Sequence, residues 1–260
     1  MTSATDLIAM ICAAALDAGA AILEVYAQPF AVAQKADASP VTRADEIAEA
    51  IILERLRQAT PDIPVIAEEL AAAGGLPAAA PAKFWLVDPL DGTKEFIARN
   101  GEFTVNIALI EQGIPILGVV HAPVTGFSWW TEKGSAWRRQ GLDAPQPIAA
   151  RAVPAEGAIV LHSRSHADER ALAGYLAGLP GAERRAAGSS IKFCLVASGE
   201  ADLYPRFGPT MEWDTAAAQA VLEAAGGSVV TLDGAPLRYG KPGFRNPDFI
   251  ARGRTMPIRA

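Results

Sequence analysis

The chain has 260 residues, half of them hydrophobic, with 23 basic against 29 acidic side chains and a formal net charge of −6. That length permits one large core or two modest ones. The acidic balance, with no cationic run longer than Arg138-Arg139 or Arg184-Arg185, excludes bulk attraction to a nucleic-acid polymer or an anionic membrane, so an anionic ligand needs a local site.

In chain order, Leu7, Ile8, Ile11, Ala15, Ala18 and Ile22 recur at helical spacing, and Ser3 with Asp6 offers an N-terminal cap. The segment has no cationic leader, and Asp6, Asp17 and Glu24 interrupt it, leaving an apolar stretch read as too short to span a bilayer. It is an amphipathic first helix, and a cytoplasmic protein with no integral membrane segment is expected. Cys12 and Cys194 lie inside apolar helical patterns and read as buried free thiols. After a loop carrying Lys35, a second helix begins near Thr42, where threonine caps and Asp45 suits the positive helix end. Residues 64–67 and 84–87 read as short buried strands, separated by an Ala/Gly/Pro-rich stretch, Leu70 to Pro81, expected as a mobile surface loop.

Residues 103–111 and 114–121, joined by Gln112-Gly113, and then 127–131 and 136–138 have hairpin and meander composition. Gly141 to Gly157 is the best boundary. It divides the chain into an N-terminal α+β domain, 1–145, and a C-terminal α/β domain, 146–260. The second half predicts a strand at 158–162, helices at 168–176 and 189–199, a strand at 202–204, a helix from Met211 to Ala225 and a strand at 228–232.

Carboxylates occur at four stations: Asp45 at a helix start, Glu68-Glu69 at a strand end, Asp88 and Asp91 around Pro89, and Asp214 at the start of a helix. Oxygen-only ligands suit Mg²⁺, with Mn²⁺ as a substitute. His121, His162 and His166 lack zinc spacing. Proline disfavours helix at Asp88 and offers no N–H, so the strand is expected to end there and turn both carboxylates and the Leu90 carbonyl to one side. Gly92 then admits a tight turn, and a short helix from Thr93 presents amides to an anion. Each group also has a bland role: Asp91-Gly92 as a turn, Asp45 and Asp214 as helix-dipole acids, Thr93 as a cap.

VDPLDGTKEF (Val87 to Phe96) and WDTAAAQAVLEAAGG (Trp213 to Gly227) resemble the two signature motifs of the inositol monophosphatase superfamily of Mg²⁺-dependent, lithium-sensitive phosphatases. Ala67-Glu68-Glu69 and Pro40 to Asp45 are similar to that family's other metal-site elements, in the same order. The resemblance implies the superfamily's layered α-β-α-β-α sandwich and two or three Mg²⁺ ions. Glu68, Asp88 and the Leu90 carbonyl would hold one ion, and Asp88, Asp91 and Asp214 a second, with Asp45 assisting a third. Glu68 and Thr93 would orient the attacking water, and the Gly92 and Thr93 amides would bind the phosphate.

Substrate choice turns on Gly188 to Thr210. Gly188-Ser189-Ser190 reads as a glycine entry to a serine-capped helix. Lys192 falls in its first turn, where the dipole disfavours a cation unless an anion joins it. Arg206 adds a forked donor. This segment, with Ser163-Arg164-Ser165-His166, resembles the bacterial CysQ-type 3′(2′),5′-bisphosphate nucleotidase branch. That implies removal of the 3′-phosphate of 3′-phosphoadenosine 5′-phosphate, giving AMP and phosphate in sulfate assimilation, with Gly188, Ser189, Lys192 and Arg206 on the substrate. The alternatives are an inositol-1-phosphate or other sugar-phosphate monophosphatase, and a phospholigand-binding protein without turnover. A homodimer is compatible with the chain.

Overall fold

In the computed structural model, which describes residues 4–35, 40–164 and 168–254, the first apolar stretch is a single helix, α1 (Ala4–Tyr26). The Ser3 cap lies outside the described residues. At 23 residues α1 is long and apolar enough, by length and composition, to cross a membrane, which corrects the sequence expectation. Its apolar stripe is instead buried in the core: Leu7, Ile8, Ile11, Ala15, Ala18 and Ile22 pack against the sheet described below and against the next helix. After the short pair β1 (Val32–Gln34) and β2 (Pro40–Thr42), α2 (Arg43–Ala59) starts at Thr42 with a capping box, Asp45 supplying the returning carboxylate.

Next come β3 (Val65–Ala67), α3 (Glu68–Ala72), β4 (Lys83–Asp91), α4 (Thr93–Ile97), β5 (Thr104–Glu111), β6 (Ile114–Ala122), β7 (Phe127–Glu132), β8 (Ser135–Gln140) and β9 (Gln146–Ile148). The strands form one sheet in the order β3-β4-β5-β6-β7-β8-β9, parallel between β3 and β4 and antiparallel beyond. Meander composition made this half legible. Gln112 and Gly113 both hold positive φ, the turn that suits a two-residue hairpin. The stretch expected as a mobile loop opens with α3, and its Leu76 and Ala80 pack on the core.

The second half contains β10 (Ile159–Ser163), α5 (Glu169–Leu176), β11 (Glu183–Ala187), α6 (Ile191–Ala197), β12 (Leu203–Arg206), β13 (Thr210–Met211), α7 (Ala216–Ala224), β14 (Ser228–Thr231), a 3-10 turn at Pro242–Phe244, β15 (Arg245–Asn246) and β16 (Phe249–Arg252). The second sheet has the order β11-β10-β12-β16-β14. Pattern reading missed β11, β13, β15 and β16: Glu183-Arg184-Arg185 is an exposed polar edge, and the other three strands are only two, two and four residues long, β13 lying where the expected helix was to begin.

Helices α6 and α7 lie between the sheets. Phe193, Cys194, Val221 and Leu222 share one cluster with Leu86 and Ile110 of the first sheet and with Tyr204, Val229 and Phe249 of the second. The approach of α7 is close enough that a Cβ at Gly118 would meet the Ala217 carbonyl at 2.4 Å. With α1 and α2 outside the first sheet and α5 outside the second, the fold is the expected α-β-α-β-α sandwich.

Candidate active site

Strand β4 does not end before Pro89; it runs on to Asp91. Its register against β5 passes from Asp88 opposite Asn106 to Asp91 opposite Thr104, so three steps on β4 match two on β5. This is a bulge. In a regular strand residues three apart face opposite sides; one extra residue restores a common side, so Asp88 and Asp91 open into the same cleft. Pro89 sits where the ladder is already broken and its missing N–H costs nothing. Gly92, at φ 97°, then starts α4 in the left-handed region that favours glycine.

The cleft has a volume of about 520 Å³. One wall carries Glu68, Asp88, the Leu90 backbone, Asp91, Gly92, Thr93 and Asp214. The other carries Gly188, Ser189, Lys192 and Arg206. Asp45 lies behind the first wall and reaches it through Thr93, whose hydroxyl lies 3.2 Å from Asp45 Oδ1 and 3.3 Å from the Leu90 carbonyl. The other Asp45 oxygen accepts the Thr42 N–H and hydroxyl, each at 2.8 Å. Asp45 therefore caps α2 and also touches Thr93 of the cleft wall. Asp214 does not stand in the first turn of a helix begun at Met211, as the sequence suggested: α7 begins at Ala216, and Asp214 Oδ2 accepts the Met211 N–H at 2.9 Å in the preceding turn.

Charge crowding marks this wall. Asp88 is buried, its Oδ1 accepting the Leu90 N–H at 3.0 Å. Burial, then the charges of Glu68, Asp91 and Asp214, push its carboxyl well above the usual range. Burial raises Asp91 to about 7, against the opposing pull of Lys192 and the Ser190 N–H. Asp214 is pushed well up by burial and by Asp91. Among the described residues, no three His, Cys, Asp or Glu side chains stand close enough to hold an ion as they are. The fit lies in donor type and charge: an all-oxygen set of mutually repelling carboxylates beside a backbone carbonyl matches a hard divalent cation. Lys35, given no role by the sequence, directly follows β1, with its Nζ 2.6 Å from both Glu68 and Glu69. Burial alone would lower its pKa; the two glutamates raise it.

On the opposite wall the serine cap is absent. Ser190 is the helix N-cap without a side-chain cap bond. Its hydroxyl binds Thr104 (2.8 Å) and Asn106 (2.7 Å), and its N–H goes to Asp91 Oδ2 at 2.6 Å. The Gly188 N–H goes to Glu102 Oε2 at 2.8 Å, and Glu102 also takes a bidentate pair from Arg164. These amides anchor the two walls to each other. Nothing in the local pattern signalled that role for Ser190.

Lys192 is no surface lysine: it is buried, donates to the Ala187 and Ser189 carbonyls at 3.1 and 2.5 Å, and lies 4.9 Å from the Tyr204 ring centre. Burial lowers its pKa to about 8, with Asp91 opposing and Arg206 adding. Arg206, also buried, donates to the Ser163 hydroxyl at 2.6 Å and the Pro209 carbonyl at 2.9 Å. Ser165 and His166 lie outside the described residues.

The model of the inositol monophosphatase family matches residues 3–254. A 3′(2′),5′-bisphosphate nucleotidase CysQ of Salmonella typhimurium is 50% identical over 242 residues, covering 92% of this chain and 96% of that protein. The protein of the same name from Escherichia coli K12 matches with the same identity and coverage. Among solved structures, CysQ from Bacteroides thetaiotaomicron superimposes with a TM-score of 0.79 at 37% identity, covering 96% of this chain and 97% of that one. An inositol monophosphatase from Anabaena follows the same fold with a TM-score of 0.76 at 26% identity.

Proposed function

The chain belongs to the inositol monophosphatase family, and from that membership and the two-walled cleft we propose that it is a cation-dependent 3′(2′),5′-bisphosphate nucleotidase, cleaving the 3′-phosphate of 3′-phosphoadenosine 5′-phosphate in the cytoplasm. The observation that carries the reading is that one cleft joins the carboxylates of Glu68, Asp88, Asp91 and Asp214 to two buried cations, Lys192 and Arg206. A substrate with one phosphate to cleave and another to hold fits both walls. A monophosphate engages only the first.

Glu68, Asp88, Asp91, Asp214 and the Leu90 carbonyl would hold Mg²⁺ or Mn²⁺, which when bound supplies Lewis-acid charge to a phosphoryl oxygen and lowers the pKa of water. The chain's own groups do the rest. The Gly92 and Thr93 amides receive the phosphate to be cleaved. Thr93 Oγ1, its own proton directed to Asp45 Oδ1, accepts a hydrogen bond from the attacking water, and Glu68 orients that water from the other side. The water oxygen forms the new P–O bond and the ester P–O bond breaks; one of the water's protons stays on the released phosphate, and the leaving oxygen gains the equivalent of the other to give the hydroxyl of AMP. Lys192 and Arg206 hold the phosphate that stays, with Gly188 and Ser189 shaping the wall beside it. In chain order, segment 1–145 brings most of the metal side and segment 146–260 the substrate segment and Asp214.

Phosphate release with Mg²⁺ from 3′-phosphoadenosine 5′-phosphate, inositol-1-phosphate and fructose-1,6-bisphosphate tests the assignment. A preference for the nucleotide is expected. A preference for inositol-1-phosphate would replace it, and no release from any of the three, with Mg²⁺ bound, would make the cleft a binding site.

A further inference from the structure

A further cation, Arg245, stands on the cleft, and neither motif contains it. Arg245 lines the cavity, is exposed, and its side chain makes no hydrogen bond or ion pair among the described residues. The other arginines of the cleft are engaged: Arg164 grips Glu102, and Arg206 is held by Ser163 and Pro209.

The backbone beneath Arg245 is fixed. Asn246 is buried and its amide donates to the Thr210 hydroxyl (3.2 Å), the Met211 carbonyl (2.8 Å) and the Thr215 hydroxyl (3.0 Å). On the other side Phe244 holds φ 53°, a left-handed conformation that is unfavourable for a bulky residue. That bend drives the Phe244 ring into the core, edge-on to Phe84 at 6.1 Å, and leaves Arg245 on the cleft side.

Strand β15 pairs with β13 so that Arg245 lies directly opposite Met211. Residues directly opposite across a ladder share a face, and both line the cleft, next to Pro209 and Thr210. A guanidinium plane beside a thioether and a proline ring is a platform for a flat, apolar, polarisable group. Guanidinium stacks on such rings, which an ammonium does not reproduce. Charge for both phosphates is already supplied elsewhere in the cleft.

We propose that Arg245 is a specificity-determining residue that stacks on the nucleobase of the substrate against Met211. This rests on the bisphosphate nucleotidase reading. The test compares kcat/KM on adenosine 3′,5′-bisphosphate and on a base-free ribitol bisphosphate for wild type, Arg245→Ala and Arg245→Lys, at fixed Mg²⁺ and ionic strength. Removing one stacking contact should cut the ratio of nucleotide to base-free turnover about tenfold, carried in KM, and lysine should not restore it. Thermal midpoints of the variants should match wild type. An unchanged ratio, from equal losses on both substrates or from none, overturns the proposal, as does full rescue by lysine, which would make Arg245 a phosphate contact. Failure of the underlying reading shows elsewhere, as wild-type enzyme that releases no phosphate from the nucleotide.

Discussion

Replacing Lys192 with methionine should leave the stability close to that of wild type and make a poorer bisphosphate enzyme. The side chain is buried, and among the described residues its ammonium forms no ion pair with a carboxylate. Burial brings its pKa from 10.5 to about 8. A folded pKa below the unfolded one means the charged form is penalised wherever both states are charged, as at pH 7. The shift corresponds to about 3 kcal/mol. This stability is present above the unfolded pKa of 10.5 and is lost as pH falls through about 8. Methionine fills the same space without the charge but forfeits two hydrogen bonds from a charged donor to the Ala187 and Ser189 carbonyls, about 3 kcal/mol at the low end of about 1.5–3 each. Relief and loss offset, so the thermal midpoint should stay within a few degrees of wild type, about 2–4 °C per kcal/mol of imbalance in a chain of this size. The same change removes a charge-assisted contact to the retained phosphate, roughly 1.5–3 kcal/mol, or about 10–200-fold in kcat/KM. Scanning calorimetry in chelator and phosphate release from the bisphosphate and from adenosine 3′-monophosphate measure the two halves. A variant that melts far lower and loses both substrates equally would refute the reasoning, since Lys192 would then hold the fold rather than an anion.

Asp91→Asn should abolish nearly all turnover while leaving chelator-treated protein as stable as wild type or more so, because a crowded carboxylate is removed; near-normal Mg²⁺-dependent rates would remove Asp91 from the site. His121 is buried against the Phe127 carbonyl and the Ser128 hydroxyl, and burial lowers its pKa to about 4. As pH falls from 6.5 to 4 the unfolded state takes up the proton first, so stability should drop by about 3 kcal/mol over that window. Urea unfolding of wild type and His121→Gln at both ends should show the variant losing that much less; parallel losses would contradict the assignment. Gly19→Ala should destabilise by roughly 1–3 kcal/mol despite alanine's better helix propensity, because its Cβ would lie 2.6 Å from His121 Cδ2; a higher melting temperature would show that the ring can move aside.

Local sequence determined a good deal of this protein. The 3.6-residue stripe of α1, the Thr42–Asp45 capping box, the Gln112-Gly113 hairpin and the glycine that opens α4 each depend on residues within a few positions of one another, so their chemistry can be read along the chain. The acids of the cleft were legible for the same reason: Asp88, Pro89, Asp91 and Gly92 announce themselves in five residues. Tertiary structure decided the rest. Whether α1 spans or packs depends on what covers its apolar face, and that is the first sheet. Whether β4 stops at Pro89 depends on β5, which supplies the ladder that the bulge interrupts. Lys35 meets Glu68 across 33 positions, Ser190 meets Asp91 across 99, and Arg245 faces Met211 only because two very short strands pair. The identity of such partners is absent from any local window, because it is set by which backbones the buried core brings within hydrogen-bonding reach.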